Sequence, residues 1–420
     1  MAIRAATAWA LACTVAALGG GCTSKRRGAG RPRGTVSASP AGPALTRVEA
    51  GTDRLLEGGA AMPVAAVPLA GDDALLLWWL QDGALAASRP GQPAFEVLPA
   101  LGTIPGEFSL REDHMHWTWS WDGDQLQVGN GLGFWARVAP EGVRAHGRLP
   151  QTGGQDRLDH SKVAALGHVG GQTLRLAGRD SERWLERWHD GAWQRWLAVP
   201  ARPEVNVFQA AFVQDQERVG LFEVSGASWR VYLVGPDQKI TTRTFDSFVP
   251  AAATCAVDGT SLLALSWNGL ATARVADLGS ADPFQHLADD RTVDPDLVRL
   301  SCADRQALVA FGRAEGGPVH LAPSSDGGRS FQRLQGGAQR RGPFALVGDP
   351  MQVRLYYARG EARELVRRTG SFGKHGFHLD DEVRLGSPAG TLTAAVPGTA
   401  ADLLVLQDEL GVPTLYRAAR

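Results

Sequence analysis

Apolar residues along this chain gather in short runs at regular spacing. The densest are Ala74 to Trp79 (ALLLWW), Gln125 to Val128, Thr173 to Ala177, Arg218 to Val224, Ser261 to Trp267, Ala307 to Phe311, Val353 to Ala358 and Asp402 to Leu406. Lighter runs precede most of them across a Gly- or Asp-bearing turn: Pro63 to Leu69, Val163 to Leu166, Val205 to Val213, Pro250 to Ala256, Leu297 to Cys302, Pro343 to Val347 and Thr391 to Val396. Runs this short, bounded by turn residues, are strands, and no sustained 3.6-residue periodicity interrupts them. The pattern predicts an all-β chain.

The units open near residues 63, 110, 161, 205, 249, 297, 343 and 391, a period of about 44 to 52 residues. That is the size of one four-stranded antiparallel blade, so the expected fold is a single β-propeller domain over residues 45–420. Eight dense runs predict eight blades, with seven as the alternative because Ser109 to Leu149 is irregular. The last unit holds three strands. A terminal blade short of a strand leaves backbone groups unpaired, so the segment Leu45 to Ala50 is expected to close the ring as its fourth.

The stretch Ser324-Ser325-Asp326-Gly327-Gly328-Arg329-Ser330-Phe331 resembles the Asp box, or BNR repeat, of sialidase-like β-propellers. In that motif the side chains matching Ser324 and Asp326 tie down a turn, the residue matching Gly328 supplies a conformation that a Cβ resists, and those matching Ser330 and Phe331 complete and plug the turn. The resemblance implies a third strand over Pro318 to Ala322 and a fourth over Phe331 to Leu334. Two degenerate copies fall in register with the period: Thr369-x-Ser371-x-Gly373 followed by Phe377, and His189-Asp190-Gly191-Ala192-Trp193. Such motifs mark a fold and leave the chemistry open.

The amino-terminal end carries an address. Arg4, an apolar run from Ala5 to Leu18 and Gly19-Gly20-Gly21 before Cys22 have the outline of a secretory signal over residues 1–21. Small residues before a Cys resemble the bacterial lipoprotein cleavage site, which implies a lipidated Cys22. The apolar run is shorter than the ~20 residues a bilayer-spanning helix needs. Residues 22–44 are mostly Arg, Gly, Pro, Ser and Ala with no aromatic, the composition of a tether. Residues 1–48 hold seven of the 43 basic side chains and none of the 44 acidic ones, leaving 36 against 44, a net of -8, for the remainder. A mildly acidic domain excludes nucleic acid as a partner. The expected setting is the cell envelope, with the outer membrane favoured by Thr23 after the Cys, and simple secretion as the alternative.

Of the four cysteines, Cys13 leaves with the signal and Cys22 is the lipid site. Cys255 and Cys302 end the first strands of neighbouring units, so they are expected to form a disulfide in an oxidising compartment. Two Cys without His at ligand spacing make no metal site, and no cofactor motif is present.

Sialidase chemistry needs a guanidinium cluster, a Tyr nucleophile paired with Glu, and an Asp acid/base. Here Ile104-Pro105 follows Thr103 where that family has Arg, and Tyr356 and Tyr357 lie inside a second strand. A second constellation precedes two consecutive first strands: Arg111, Asp113, His114 and His116, with Asp159 and His160. Loops entering the innermost strand line a propeller's ligand face, so these are the candidate ligand-binding residues, against a reading as solvated turn residues. Asp113, Asp159 and Asp304 are the carboxylates a glycoside hydrolase or lyase would use. Trp117, Trp119 and Trp121 alternate onto one face and are expected to fill a wedge between blades. The combined expectation is a monomeric, non-catalytic, lipid-anchored propeller that binds a glycan, peptide or partner protein. The alternatives are a sialidase-like hydrolase or lyase and an assembly factor for an envelope complex.

Overall fold

The computed structural model describes residues 45–48, 61–80, 83–99, 117–149, 162–178, 182–200, 207–225, 228–246, 252–266, 269–288, 293–294, 297–313, 316–332 and 339–420. Its strands form successive antiparallel sheets spanning 61–98, 117–148, 162–199, 207–245, 252–288, 299–324, 339–386 and 391–419. Each first strand lies beside the first strand of the next sheet, and Thr391–Val396 lies beside Ala61–Pro68. The fold is an all-β propeller. Among the described residues, no helix is long and apolar enough to cross a membrane.

The dense runs are continuous rather than alternating because both faces of each second strand are covered. In Ala74–Leu80, Leu75 and Leu77 pack against the 117–148 sheet, while Leu76 and Trp78 pack against the 391–419 sheet. In Ala401–Gln407, Leu403 and Val405 face the first sheet, and Leu404 and Leu406 face the 339–386 sheet. The core is therefore not central. It is a set of wedge-shaped seams, one between each sheet and the next. The fourth strand Ile240–Phe245, paired along one edge only, is exposed along nearly its whole length.

Ring closure follows the expected strand. Leu45–Val48 pairs antiparallel with Pro413–Ala419, Leu45 opposite Ala418 and Val48 opposite Leu415. The turn after the first strand of the 61–98 sheet adds a second clasp: Asp72 Oδ1 accepts from the backbone N–H groups of Ala400 (2.5 Å) and Ala401 (3.2 Å). Those hydrogen bonds hold the Asp72 carboxyl below the usual carboxylate pKa.

Two expectations change. Within the irregular stretch Ser109 to Leu149, Trp117 to Arg148 form a regular four-stranded sheet, and 109–116 lie outside the described residues. The 299–324 sheet has three paired strands among the described residues. Its third is His320–Ser324, since Gly317–Pro318 pairs with Gln339 and Arg340 of the next sheet; Phe331 and Gln332 are not in a strand, and the Gln332 N–H donates to the Pro323 carbonyl (2.9 Å). The remainder of the expected fourth strand, 333–334, lies outside the described residues.

Sheets near the ring axis approach closely, and glycine permits it. A Cβ on Gly167, in Lys162–Val169, would sit 2.6 Å from Cβ of Phe212 in the next sheet. Gly167→Val is therefore expected to destabilise by about 1–3 kcal/mol, read as a lower urea midpoint. Gly373→Ala, whose Cβ meets nothing nearer than 3.8 Å, should stay within about 0.5 kcal/mol.

Candidate functional site

Antiparallel blades have two unlike ends. Turns from first to second and from third to fourth strands share one end, here the underside; turns from second to third strands and connections into the next first strand share the upper face. The sequence-predicted ligand residues Arg111, Asp113, His114, His116, Asp159 and His160 precede first strands, and all six lie outside the described residues, as does Cys22. Asp304 does not join that group. It sits in the turn after first strand Arg299–Ala303, at φ +47, on the opposite end of the ring from a strand entrance.

The underside is built by the Ser324–Phe331 turn. Ser324 Oγ donates to Asp326 Oδ1 (2.8 Å) and accepts from the Gly328 N–H (3.0 Å). Asp326 Oδ1 accepts from the N–H groups of Arg329 (3.0 Å) and Ser330 (2.9 Å), and Oδ2 accepts from Ser330 Oγ (2.5 Å). Gly327 and Gly328 both have positive φ, +79 and +77, which lets the backbone point these donors inward. Phe331 packs on the seam between the 252–288 and 299–324 sheets. In the same seam a Cys255–Cys302 disulfide joins the two first strands, with Cα atoms 5.9 Å apart. Arg329 reaches across to Asp258 Oδ2 (3.0 Å), and the Gly327 N–H donates to the Arg305 carbonyl (2.7 Å). Asp258, Asp304 and Arg305 line a shallow depression of about 410 Å³ there.

The two degenerate copies behave as hairpins. Thr369 and Ser371 lie inside strand Glu364–Gly373, where Ser371 pairs with His378 and Phe372 with Phe377. Asp190 and Gly191 form a tight turn with φ of +49 and +77 between paired Trp188 and Trp193. Trp117 is buried and Trp119 and Trp121 half-buried between the first two sheets. Trp135, Trp188 and Trp193 make an edge-to-face cluster at the next seam, with Arg137 over Trp188 (4.0 Å) and Arg175 over Trp193 (4.3 Å). These rings fill seams rather than offering a flat stacking platform.

Several acid and phenol groups that sequence reasoning passed over are committed within the fold. Asp402 is fully buried and accepts from Arg354, from Tyr356 Oη (2.6 Å) and from the Gly398 N–H (3.2 Å). Glu223, also fully buried, pairs with Arg183 of the preceding sheet. Glu382 accepts from Tyr357 Oη and Arg359. Burial, then the neighbouring carboxylates, push both Tyr hydroxyls well above the usual phenol pKa, which is the wrong direction for a nucleophile. Partners here are 40 and 48 residues apart, so no local motif announces them. The available signal was a charge within or at the head of a two-sided apolar strand, as in Asp402 before Leu403–Leu406, which must find a counter-charge.

The described part of the upper face holds two hollows around the 360–363 turn. One, about 620 Å³, is lined by Arg359, Glu361, Glu364 and Glu382. The other, about 100 Å³, lies in the seam between the 339–386 and 391–419 sheets. Among the described residues no group of three or more His, Cys, Asp or Glu is gathered to hold a metal.

No protein-family model matches the sequence, and no curated protein matches it. Solved structures resemble it at a distance. BamB from Moraxella catarrhalis is 13% identical over 89% of this chain and 97% of that one, with a TM-score of 0.46. The WD40 domain of SCAP from fission yeast is 8% identical over 89% and 97%, also at 0.46. Virginiamycin B lyase from Staphylococcus aureus is 10% identical over 74% and 96%, at 0.38. At such identities the likeness concerns fold alone.

Two outcomes test these structural assignments. Partial burial raises the Asp326 pKa, but hydrogen bonds from Ser330, Ser324 and the Arg329 backbone outweigh it, and the carboxyl ends below its usual value. A lowered folded-state pKa gives stability that is full above the unfolded value near 3.9 and is lost as pH falls through the folded one. Asp326→Asn is thus expected to flatten the loss of stability below about pH 4 and to cost about 1–3 kcal/mol at pH 7, measured by urea titration at each pH. Asp402→Ala, which leaves Arg354 buried without its acid, is expected to cost about 3–5 kcal/mol; Arg354→Met with Asp402→Leu should recover most of it.

Proposed function

We propose that this chain is a non-catalytic, lipid-anchored propeller of eight blades that works at the cell envelope by binding a glycan, peptide or partner protein on its upper face. One observation carries the non-catalytic part. The fully buried carboxylates Asp402 and Glu223 and the phenol of Tyr356 are held by an arginine, a backbone amide or one another across a seam, so they act as cement and are not presented to a substrate. The anchor rests on the Gly19-Gly20-Gly21-Cys22 sequence and the tether composition that follows it.

Chain direction gives this anchor an orientation. Leu45 lies opposite Ala418 at the underside end of the closing strand pair, so the chain before it departs from the underside. A flexible stretch the length of residues 23–44 has a mean end-to-end distance of about 25 Å. With Cys22 in a bilayer, that reach favours the underside toward the membrane and turns the upper face toward its partner. The underside turns carry Asp72, Asp258, Asp304 and Asp326, a charge that keeps it from pressing onto anionic headgroups.

The full chain expressed in a bacterial host is expected to incorporate labelled palmitate and to sediment with the outer membrane. Cys22→Ser should abolish the label and leave the protein in the periplasmic fraction. Equal sedimentation of the variant would overturn the anchor. Turnover on a panel of glycosides, lost on changing Asp113 or Asp159, would overturn the binding-only reading.

A further inference from the structure

We propose that the hollow between the 339–386 and 391–419 sheets is a peptide-anchoring pocket, taking one branched aliphatic side chain together with a carboxylate beside it. The proposal deepens the binding reading above and rests on it only for placing a partner on the upper face.

The pocket exists because two first strands bulge at the same height. Pairing of Gln339–Val347 with Val353–Arg359 shifts register between Arg341 and Phe344, where Gly342 takes φ +75 and Pro343 has no N–H to give the ladder. Across the seam, Thr391–Val396 shifts register between Leu392 and Ala394, just after Gly390 at φ +102. Lower in the seam the sheets are packed shut by Val347, Tyr356, Leu392, Leu404 and Leu406. Above them the walls part, leaving about 100 Å³ lined by Gly342, Pro343, Ala358, Leu365, Leu392 and Leu406. A Cβ built on Gly342 would meet no atom within 4 Å, so the space is open there.

The chemistry of the lining selects the guest. An apolar cavity of this size offers water few partners and favours an apolar group. The charged residue on its rim is Arg363, exposed, at φ +49, with no acidic partner among the described residues. Arg359, one turn away, is by contrast held by Glu364 and Glu382. A guanidinium without an acid beside an apolar hollow fits a carboxylate next to a Leu- or Ile-sized group. No aromatic ring lines the hollow, which argues against a sugar, whose rings are held by stacking. A peptide segment of a partner protein, aliphatic then acidic, supplies both groups from adjacent residues.

The test uses the full-length purified chain with methyl-labelled leucines, read by NMR. The probes are acetyl-Gly-Leu-Asp-Gly-amide, its Ala-for-Leu and Asn-for-Asp counterparts, and acetyl-Gly-Leu with a free carboxylate. Saturable shifts of the Leu392 and Leu406 methyls with the first probe, weakened roughly tenfold or more by either peptide change, are expected. Arg363→Glu, at an exposed site, should weaken the first probe to the same degree at unchanged thermal midpoint, and Ala358→Leu should block it by filling the hollow. Binding of the internal peptide supports the proposal; preference for the free-carboxylate probe, which stands for a chain terminus, overturns it. Absent methyl shifts at millimolar peptide, or shifts indifferent to Arg363→Glu, overturn the proposal. So does a soluble oligosaccharide that displaces these methyls where the peptides do not. None of these results depends on Cys22, so failure of the pocket and failure of the anchor are separable.

Discussion

Everything in this molecule depends on one constraint: each sheet hides both its faces against its neighbours, so no sheet is stable until the ring is complete. A sheet packed on one side alone would leave a second apolar face in water, at about 25 cal/mol for every Å² left exposed. The closure between the last and first sheets is accordingly made three ways. Leu45–Val48 completes the last sheet, Asp72 grips the backbone at Ala400 and Ala401, and Trp78 and Leu76 bury against Leu403 and Val405. The first two are polar and local, and they fix the register; the third supplies the area.

The same constraint explains where charge is tolerated inside. Buried charges sit in the seams toward strand ends, with Arg354 meeting Asp402 at the underside and Arg183 meeting Glu223 toward the upper face. A buried ion pair seldom adds net stability over a well-packed apolar pair. Its effect is selective: a neighbour in the wrong order or register would bury a lone charge, and that cost is several kcal/mol. Sheets that are otherwise alike in length and apolar content are thereby told apart, which is what a ring of near-repeats needs.

This also accounts for what was legible in the sequence. Second strands were readable because two-sided burial demands unbroken apolar runs: Ala74 to Trp79 and Asp402 to Leu406 each fall within one residue of the strand observed. Fourth strands were not, because an outer strand such as Ile240–Phe245 buries almost nothing and carries no pattern to read. The Ser324–Phe331 turn was legible since the bonds that shape it, among Ser324, Asp326, Gly328, Arg329 and Ser330, join near neighbours in sequence, whereas Arg183–Glu223 and Arg354–Asp402 join residues whose proximity only the ring creates. Copies of the turn were overread. Thr369 and Ser371 match its spacing, but without an acid at the position of Asp326 nothing gathers the backbone amides, and the chain runs on as an ordinary hairpin.

The two ends of the ring carry different freedoms, and that asymmetry is where function belongs. Underside connections between first and second strands are short and tied down: Asp258 to Asp304, Gly327 to Arg305, Thr399 to Gly71. The described strands that end one sheet and open the next are separated in sequence by as few residues as 387–390 and as many as 99–116, so this spacing is not set by the ring. A fold that fixes one face and leaves the other free to vary places recognition on the varied face. The hollow beside Arg363 is a small instance of that freedom. The sheets must pack at Leu392 and Leu406, but a bulge at Gly342 and another past Gly390 cost the ring little, since they lie above the last layer the seam needs to close. Whatever binds there can do so without drawing on the interactions that hold the propeller together.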